Sequence, residues 1–371
     1  MMAVTGRPPS YQLVDSRRSG EAPFDVWSST TLSDPWWDAF LRSTPYGQFQ
    51  QSSLWAEYKA WEGWQCQRVV VTSEVGIVGG LQLLHKKARL GRIGYVSKGP
   101  VCLTDDESLV RLLVSRMTIE AKALGLSGLI TQLPDESRVD VGLCEEFGFM
   151  PSNPVGVIEA TYLIDISDPL DVVRARMHRS LRSNLRKALG KGAQVREGAE
   201  GDLPDFFELM ANSCRRQGVV PSPPSLESIR CMWSIFSRTN EIHVSFADCA
   251  GSRPAAVLNL LFGDRTTIWK KGWDGTHRDW HSNELVEYHA IEKAHRQGHR
   301  ICDLCSIDTA AAKDILRGEE PGRSLRTRDA FNLKFGGYPK LLPPAMVYIP
   351  SEALRWGYRR WGAPLLQSWR R

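Results

Sequence analysis

The feature of this sequence that most constrains its fold is an order of predicted elements that occurs twice. A helix is followed by three short apolar segments with Gly-containing turns between them, then by a second helix and a final strand. The first copy occupies residues 51–61, 68–72, 77–84, 93–97, 107–124 and 128–133. The second begins with helices at 203–216 and 225–236 and continues at 241–247, 255–262, 266–271, 284–297 and 300–304. Two domains of one topology are therefore expected.

The connections within each copy predict how its strands pair. Strands joined by short turns pair antiparallel, whereas a strand that returns after a helix adds in parallel. The predicted fold is α/β, with two tandem N-acetyltransferase-like (GNAT-like) domains over residues 24–165 and 166–344, each with a mixed, mainly antiparallel sheet. Residues 1–23 predict a disordered tail. Residues 345–371, which are rich in aromatic side chains and arginine, predict a C-terminal segment that packs back on the first domain.

Composition excludes several classes of protein. The 371 residues are 42% hydrophobic and 24% charged, with a formal charge of +5, which is typical of a folded protein and not of a fibrous or disordered one. No segment approaches the roughly 20 consecutive apolar residues of a membrane-spanning helix, and residues 1–10 lack the apolar run of a secretion signal. We therefore expect a cytoplasmic protein with reduced cysteines. Cys302 and Cys305 form a single Cys-x-x-Cys pair without further ligands, so no metal is expected.

Four short motifs, in this order and spacing, resemble the Fem family of non-ribosomal aminoacyltransferases, which build peptidoglycan cross-bridges from aminoacyl-tRNA. They are FQQSSLW at 49–55, YVSKGPV at 95–101, LRSNLRKA at 181–188 and FNLKFGG at 331–337. Members of that family have two acetyltransferase-like domains, in agreement with the repeated order of elements. The resemblance covers most of the chain.

The resemblance implies substrate-binding roles for side chains in both domains. The family uses a lysine at the position of Lys59 to bind precursor phosphate, although a lysine on an apolar helix can equally lie along the surface. Tyr95 and Lys98 precede a Gly-Pro turn that brings the backbone close to a cleft, although Tyr95 could equally be a core residue. The implied substrate-binding residues are Lys59, Tyr95, Lys98, Arg182, Arg186, Trp269, Lys270, Asn283 and Asp303.

A run of cations with no acidic residue inside it begins before the third motif, continues through it and ends after it. It consists of Arg174, Arg176, Arg179, Arg182, Arg186, Lys187, Lys191 and Arg196. Most such runs are solvated helix faces. Eight uncompensated cations nevertheless repel one another, which favours an anionic ligand such as a tRNA backbone or the diphosphate of a cell-wall precursor. We predict that Arg179, Lys187 and Lys191 contact tRNA, with Phe331 either stacking on its terminal adenosine or packing in the core.

The implied reaction needs a donor for the negative charge that develops on the ester oxygen when an amine attacks it. The family places a lysine in a Phe-Lys-x-x-Phe motif, where this sequence has Asn332. If the segment is extended, Asn332 and Lys334 lie on one face, and either could donate. His281, in a cluster before a predicted helix, is a candidate base. These three residues are the predicted catalytic set.

The sequence therefore predicts an enzyme that transfers an amino acid from aminoacyl-tRNA to a primary amine of a peptidoglycan precursor or a related natural product. No cofactor is expected, since aminolysis of an ester is downhill. DNA is not an expected partner, and membrane contact would be peripheral at most. One alternative is an acyl-CoA-dependent N-acyltransferase, whose pyrophosphate loop must follow a strand; the glycines at 190 and 192 follow a helix instead. A second alternative is an inactive tRNA-binding or scaffold protein.

Overall fold

A computed structural model describes residues 10–17, 23–45, 47–89, 91–104, 106–137, 139–152, 157–322, 325 and 327–362. The chain divides into two compact units, each described separately below. The first unit comprises Met1–Ile158 together with Leu342–Arg371, and the second comprises Glu159–Leu341. No helix within the described ranges is both long enough and apolar enough to span a membrane.

Strands and helices are numbered in chain order. The strands are β1 (Gln12–Arg17), β2 (Phe24–Ser29), β3 (Gln65–Ser73), β4 (Gly76–Ala88), β5 (Gly91–Ser97), β6 (Val101–Cys102), β7 (Leu126–Gln132), β8 (Met150–Pro151), β9 (Ala160–Asp165), β10 (Gln194–Glu197), β11 (Ile242–Cys249), β12 (Ser252–Phe262), β13 (Arg265–Trp273), β14 (Ile301–Ser306), β15 (Tyr338–Leu341) and β16 (Met346–Tyr348). The helices are α1 (Pro35–Ser43), α2 (Ser53–Trp61), α3 (Glu107–Ala123), α4 (Val141–Glu146), α5 (Leu170–Arg176), α6 (Arg179–Gly190), α7 (Leu203–Arg216), α8 (Leu226–Phe236), α9 (Ser282–Arg296), α10 (Thr309–Leu316), α11 (Thr327–Leu333) and α12 (Glu352–Gly357).

The first unit contains a sheet with the order β1-β2-β3-β4-β5-β7-β16-β8, and β6 pairs with β4. Neighbouring strands are antiparallel except for β5 and β7, which are parallel because α3 connects them across the sheet. The buried side chains of α3, such as Leu109, Leu113 and Met117, lie in one hydrophobic core with Val69, Leu83 and other residues of the sheet.

The second unit repeats this arrangement with the order β10-β11-β12-β13-β14-β9-β15. Its one parallel pair is β13 with β14, which α9 connects. Ile291 and Ala294 of α9 pack in the core with Val257 and Ile268 of the sheet. The predicted fold class, α/β with two tandem GNAT-like domains and mixed, mainly antiparallel sheets, is confirmed.

The ends of the predicted domains differ from the structure at two places. The disordered tail predicted over residues 1–23 is wrong for residues 12–17, because β1 pairs antiparallel with β2; residues 1–9 and 18–22 lie outside the described part. The chain passes from the first unit to the second after Ile158, before the boundary predicted at residue 165, because β9 pairs with β14 and β15 of the second sheet. In the C-terminal segment, β16 inserts between β7 and β8 of the first sheet. Residues 363–371 lie outside the described part.

Candidate functional site

The parallel strands β13 and β14 open toward their carboxyl ends. Their shared ladder covers residues 265–267 and 301–303. On its other side β13 carries a bulge, since Leu258 faces Lys270 and Asn259 faces Ile268, which leaves Trp269 with no opposing residue. The carboxyl ends of parallel strands are the usual place for ligands in α/β sheets. Trp269 and the two lysines that follow it therefore stand at the edge of a candidate site.

A buried polar cluster follows this bulge. The ammonium of Lys271 donates a hydrogen bond to Glu287 Oε2 at 2.6 Å and a second to Asn332 Oδ1 at 3.1 Å. Glu287 comes from α9 and is 2% exposed, and Asn332 comes from α11 and is 0% exposed. The aromatic ring of Phe331 lies 5.8 Å from the same ammonium. Three elements thus converge on one cation.

The electrostatics of the cluster follow from its burial. Burial raises the pKa of the Glu287 carboxyl, and the charge and hydrogen bond of Lys271 oppose that shift. The Nδ2 donor of Asn332 is buried and has no hydrogen-bond partner in the described part of the chain. A buried donor without a partner is costly and commonly marks a functional position.

Burial disfavours the thiolate form of the two cysteines beside this cluster. Burial raises the pKa of the Cys302 thiol, and it raises the pKa of Cys305 to about 12. Both are free cysteines. No group of three or more His, Cys, Asp or Glu side chains among the described residues is arranged to hold a metal ion.

The predicted catalytic residues do not form one constellation. The segment carrying Asn332 is helical rather than extended, so the predicted shared face with Lys334 is wrong: residues two apart on a helix point in different directions. Lys334 follows α11 and is half-buried, and its carbonyl accepts a hydrogen bond from the amide of His178. His281 adopts a left-handed conformation before α9, with Nδ1 3.6 Å from Glu284 Oε1.

The predicted substrate-binding residues of the second unit have different surroundings. The Lys270 ammonium lies 4.7 Å from the centre of the Trp269 ring, and burial lowers the pKa of Lys270. Asn283 is half-buried in the first turn of α9. Asp303 accepts hydrogen bonds from Thr161 Oγ1 at 2.5 Å and from the Cys305 amide at 2.8 Å. The structure therefore gives Asp303 internal polar partners.

Helix α6 presents an exposed cationic surface, formed by Arg179, Arg186 and Lys187. Leu181, Leu185 and Ala188 form its buried stripe. The side chains of the cationic surface are exposed, and none has a carboxylate within ion-pair distance in the described part of the chain. Arg182 is half-buried and donates to the carbonyl of Ala175 at 3.2 Å.

The other cations of the run have partners inside the unit. Arg176 pairs with Asp168, Lys191 with Asp279 and Arg196 with Asp202. Arg174 lies over the ring of Tyr288. Phe331 is half-buried, packs against the core and lies edge-on to Phe335. Carboxylates therefore neutralise Arg176, Lys191 and Arg196, whereas the middle of α6 keeps its charge.

The predicted residues of the first unit are held by local partners. The Lys59 ammonium pairs with Glu62 at 2.7 Å and lies over the rings of Trp55 and Tyr58. The Tyr95 hydroxyl donates to Ser97 Oγ, and burial raises the pKa of Tyr95.

Lys98 is buried at the carboxyl end of β5. Its ammonium is 2.7 Å from Asp135 Oδ1, and Gln48 Nε2 donates to the other oxygen of the same carboxylate at 3.2 Å. The buried ion pair anchors the turn that follows β5.

The connection from β13 to α9, where a coenzyme A pyrophosphate loop would lie, has the sequence DGTHRDWH at residues 274–281. It contains two aspartates and no Gly-x-Gly, and Asp279 accepts a hydrogen bond from Lys191 Nζ. The glycines after α6 form a helix end instead: Gly192 has φ of +78°, and the Ala193 amide donates to the Ala188 carbonyl.

Two family models match the chain, the FemAB family over residues 32–126 and an acetyltransferase (GNAT) domain over residues 175–313. The chain is 31% identical over 200 residues to a lipid II:glycine glycyltransferase of Staphylococcus aureus strain MRSA252, and 29% identical over 199 residues to that of Staphylococcus haemolyticus strain JCSC1435. The resemblance to the Fem family is confirmed. Each match covers 49% of this chain and 46% of the relative, so the chain spans about half the length of the curated relatives it matches.

The fold of the chain is also similar to that of a solved structure. The crystal structure of FemX superposes with a TM-score of 0.75 at 17% identity, covering 87% of this chain and 97% of that one. Both units described above therefore belong to a known arrangement of elements.

Sequence patterns alone do not single out Lys271 or Glu287. A signal for Glu287 exists, because it stands four and seven residues before Ile291 and Ala294 and so lies on the buried face of α9. A charged residue on a buried helix face needs a partner. Lys270 and Lys271 are adjacent on β13, and the one whose side chain lies on the α9 side of the sheet pairs with Glu287. The bulge at Trp269 shifts the alternation of side chains between the two faces of the sheet, so the sequence alone does not tell which lysine this is.

Proposed function

We propose that the protein is an aminoacyltransferase that moves an amino acid from aminoacyl-tRNA to a primary amine of a peptidoglycan precursor. The observation that carries the tRNA part of the proposal is the cationic surface of α6, whose three exposed cations have no carboxylate partner among the described residues. Exposed, uncompensated cations on a rigid helix are suited to phosphate backbones. Use of such a donor would place the protein in the cytoplasm.

The position of α6 links this surface to the candidate site. Asn184 on α6 donates a hydrogen bond to Glu284 on α9 at 3.1 Å, and α9 also carries Glu287. A nucleic acid bound along α6 would thus lie on the helix that packs against the wall of the Lys271 cluster.

The proposed reaction requires few catalytic groups from the protein. An amine attacks the ester carbonyl, and positioning together with a donor for the developing oxyanion supplies most of the acceleration. The proposed reaction uses no cofactor. The acceptor class rests on the relatives, which are named for transfer of glycine to lipid II. A natural-product amine on a similar scaffold remains the alternative acceptor.

A second candidate, acyl-CoA-dependent N-acylation, is favoured by the GNAT domain match over residues 175–313. The connection at 274–281 argues against it, because it carries two acidic residues and no Gly-x-Gly where an acyl-CoA enzyme binds the pyrophosphate.

The test is a donor and acceptor matrix read by mass spectrometry. Purified protein is incubated with lipid II or its soluble nucleotide precursor, and with either a charged tRNA pool or acetyl-CoA. The proposal expects the acceptor to gain the mass of one amino-acid residue with charged tRNA alone. Acylation by acetyl-CoA alone would favour the second candidate, and no product with either donor would favour an inactive binding protein.

A further inference from the structure

The Lys271 ammonium has an unusual setting for a cation near a reaction site. Its side chain is 26% exposed, whereas the side chain of its partner Glu287 is 3% exposed. Two of its three N–H groups point at Glu287 and Asn332, and the third has no acceptor in the described part of the chain. Glu287 and Asn332 therefore hold the ammonium in place, and its third N–H group is available to a ligand.

We propose that Lys271 is the oxyanion donor of the transfer reaction, with Glu287 and Asn332 as its positioning residues. This inference rests on the proposed function and assigns a group to it. The cation comes from β13, while the segment at 331–337, in which the sequence predicts the donor, supplies the neutral amide of Asn332.

The identity of residue 332 agrees with this assignment. The Asn332 amide oxygen lies 3.1 Å from the Lys271 nitrogen. A lysine at 332 would bring a second ammonium close to the first, where like charges repel strongly in a partly buried site. The site therefore accommodates one lysine, and a neutral amide at 332 accepts the hydrogen bond that orients it.

Lys334, the other sequence candidate, lacks such an anchor. Its ammonium makes no hydrogen bond or ion pair among the described residues, although its backbone carbonyl accepts a hydrogen bond from the His178 amide. An oxyanion donor must be held in place before the reaction. Lys271, whose ammonium makes two hydrogen bonds, meets this requirement better than Lys334 does.

The step balances without any further reagent. The neutral acceptor amine attacks the carbonyl carbon, a carbon–nitrogen bond forms, and the carbonyl π pair becomes an oxyanion that accepts a hydrogen bond from Lys271. The carbonyl then re-forms and the ester carbon–oxygen bond breaks. The leaving ribose oxygen takes up the proton that the nitrogen loses, and Lys271 keeps its own proton throughout.

The experiment measures kcat, KM for aminoacyl-tRNA and equilibrium tRNA binding in matched variants. Lys271→Met is expected to lower kcat by about 10²- to 10³-fold with tRNA binding unchanged. Lys334→Met is expected to lose less kcat than Lys271→Met, and Lys313→Met, at an exposed lysine on α10, is the control that should stay within about threefold of the unmodified protein. Adding Asn332→Lys to Lys271→Met should recover at least about tenfold of the lost kcat, since it returns one ammonium to the site.

Folding is checked by circular dichroism and thermal unfolding. Should Lys271→Met not fold, Lys271→Gln keeps an amide donor without the charge and is expected to lose less kcat than Lys271→Met would, but still at least about tenfold. The inference is overturned by a folded Lys271 variant with near-normal kcat, or by a loss of activity that appears wholly in tRNA binding. In both cases transfer from aminoacyl-tRNA by the unmodified protein still supports the proposed function, whose own failure is the absence of that transfer.

Discussion

At the scale of single residues, the buried charges of this protein are held by several partners each. Arg68 on β3 is 0% exposed, and its guanidinium contacts Asp34 Oδ2 at 2.9 Å and Gln82 Oε1 at 2.7 Å. Tyr11 donates to the same Asp34 oxygen at 2.6 Å. This network joins the start of the described chain, the N-cap of α1 and two central strands of the first sheet.

Removing one member of this network should destabilise the first unit. Arg68→Met leaves Asp34 buried without its counter-charge, and we expect a loss of about 3–5 kcal/mol in the free energy of unfolding. Urea denaturation measures it. The double variant Arg68→Met, Asp34→Asn removes both charges and should be less destabilised than Arg68→Met alone; equal losses would mean that the ion pair is not the cause.

The interactions of Glu197 predict how the free energy of unfolding changes at acid pH. Burial alone would raise its pKa, but hydrogen bonds and charges from His289 and Lys293 lower the pKa to about 2 from the ordinary 4.5. Between those values the unfolded chain binds a proton that the folded chain does not, so the free energy of unfolding falls as the pH drops.

The change Glu197→Gln should flatten this dependence, as measured by urea midpoints at about pH 6, above the window set by the shift, and at about pH 3.5, within it. Glu200→Gln, at an exposed carboxylate of the same segment, is the control and should leave the slope as it was. An unchanged slope in Glu197→Gln would contradict the assignment.

At the scale of elements, the sequence predicts the buried and exposed faces of a helix, which depend on periodicity. It does not predict ion pairs between residues that are distant in the sequence. The buried stripe of α6 follows from Leu181 and Leu185 at helical spacing, and its exposed cations follow from the same period. The neutralisation of Lys191 by Asp279, 88 residues later, cannot be inferred locally. The seven-residue α11 is too short for a clear period, and the prediction of an extended segment there is wrong.

The cationic surface of α6 predicts salt-dependent tRNA binding. Changing Arg179, Arg186 and Lys187 to Gln should weaken binding and reduce the slope of log affinity against log salt by about 2–3, because each phosphate contact contributes nearly one unit. Filter binding across a salt series measures the slope. Lys313→Gln, at an exposed lysine on α10, is the control. Unaltered affinity and slope in the triple variant would exclude α6 as the tRNA contact.

Gln51 explains one of the four family motifs in physical terms. Its side chain is 0% exposed; Nε2 donates to the Ser97 carbonyl at 2.6 Å, and Oε1 accepts from the Gln82 amide at 2.7 Å. It therefore bridges β4 and the end of β5, beside the Gly-Pro turn of the second motif.

Gln51→Ala leaves these backbone groups buried without partners and should cost about 2–4 kcal/mol of unfolding free energy. The adjacent Gln50, whose Oε1 has no partner in the described part of the chain, provides the matched control, and Gln50→Ala should cost less than about 1 kcal/mol. Similar costs in thermal or urea unfolding would show that the bridge contributes little.

At the scale of the whole molecule, the fold was predictable because the order of elements is repeated and the connections fix the pairing. The boundary between the units was harder to predict, because β9 follows the first copy of the repeated order in the sequence but pairs within the second sheet. The candidate site was predictable only in part. Asn332 and Lys270 adjoin it, whereas Lys271 and Glu287 meet through a bulge and a helix face that no single motif contains.

The measurement that tests the central claim most directly follows a labelled amino acid from tRNA to an acceptor amine, with and without ribonuclease pretreatment of the donor. We expect amide-linked label on the peptidoglycan precursor, its loss after ribonuclease, and no acylation when acetyl-CoA replaces the charged tRNA. Ribonuclease-resistant labelling, or acylation by acetyl-CoA alone, would contradict the account.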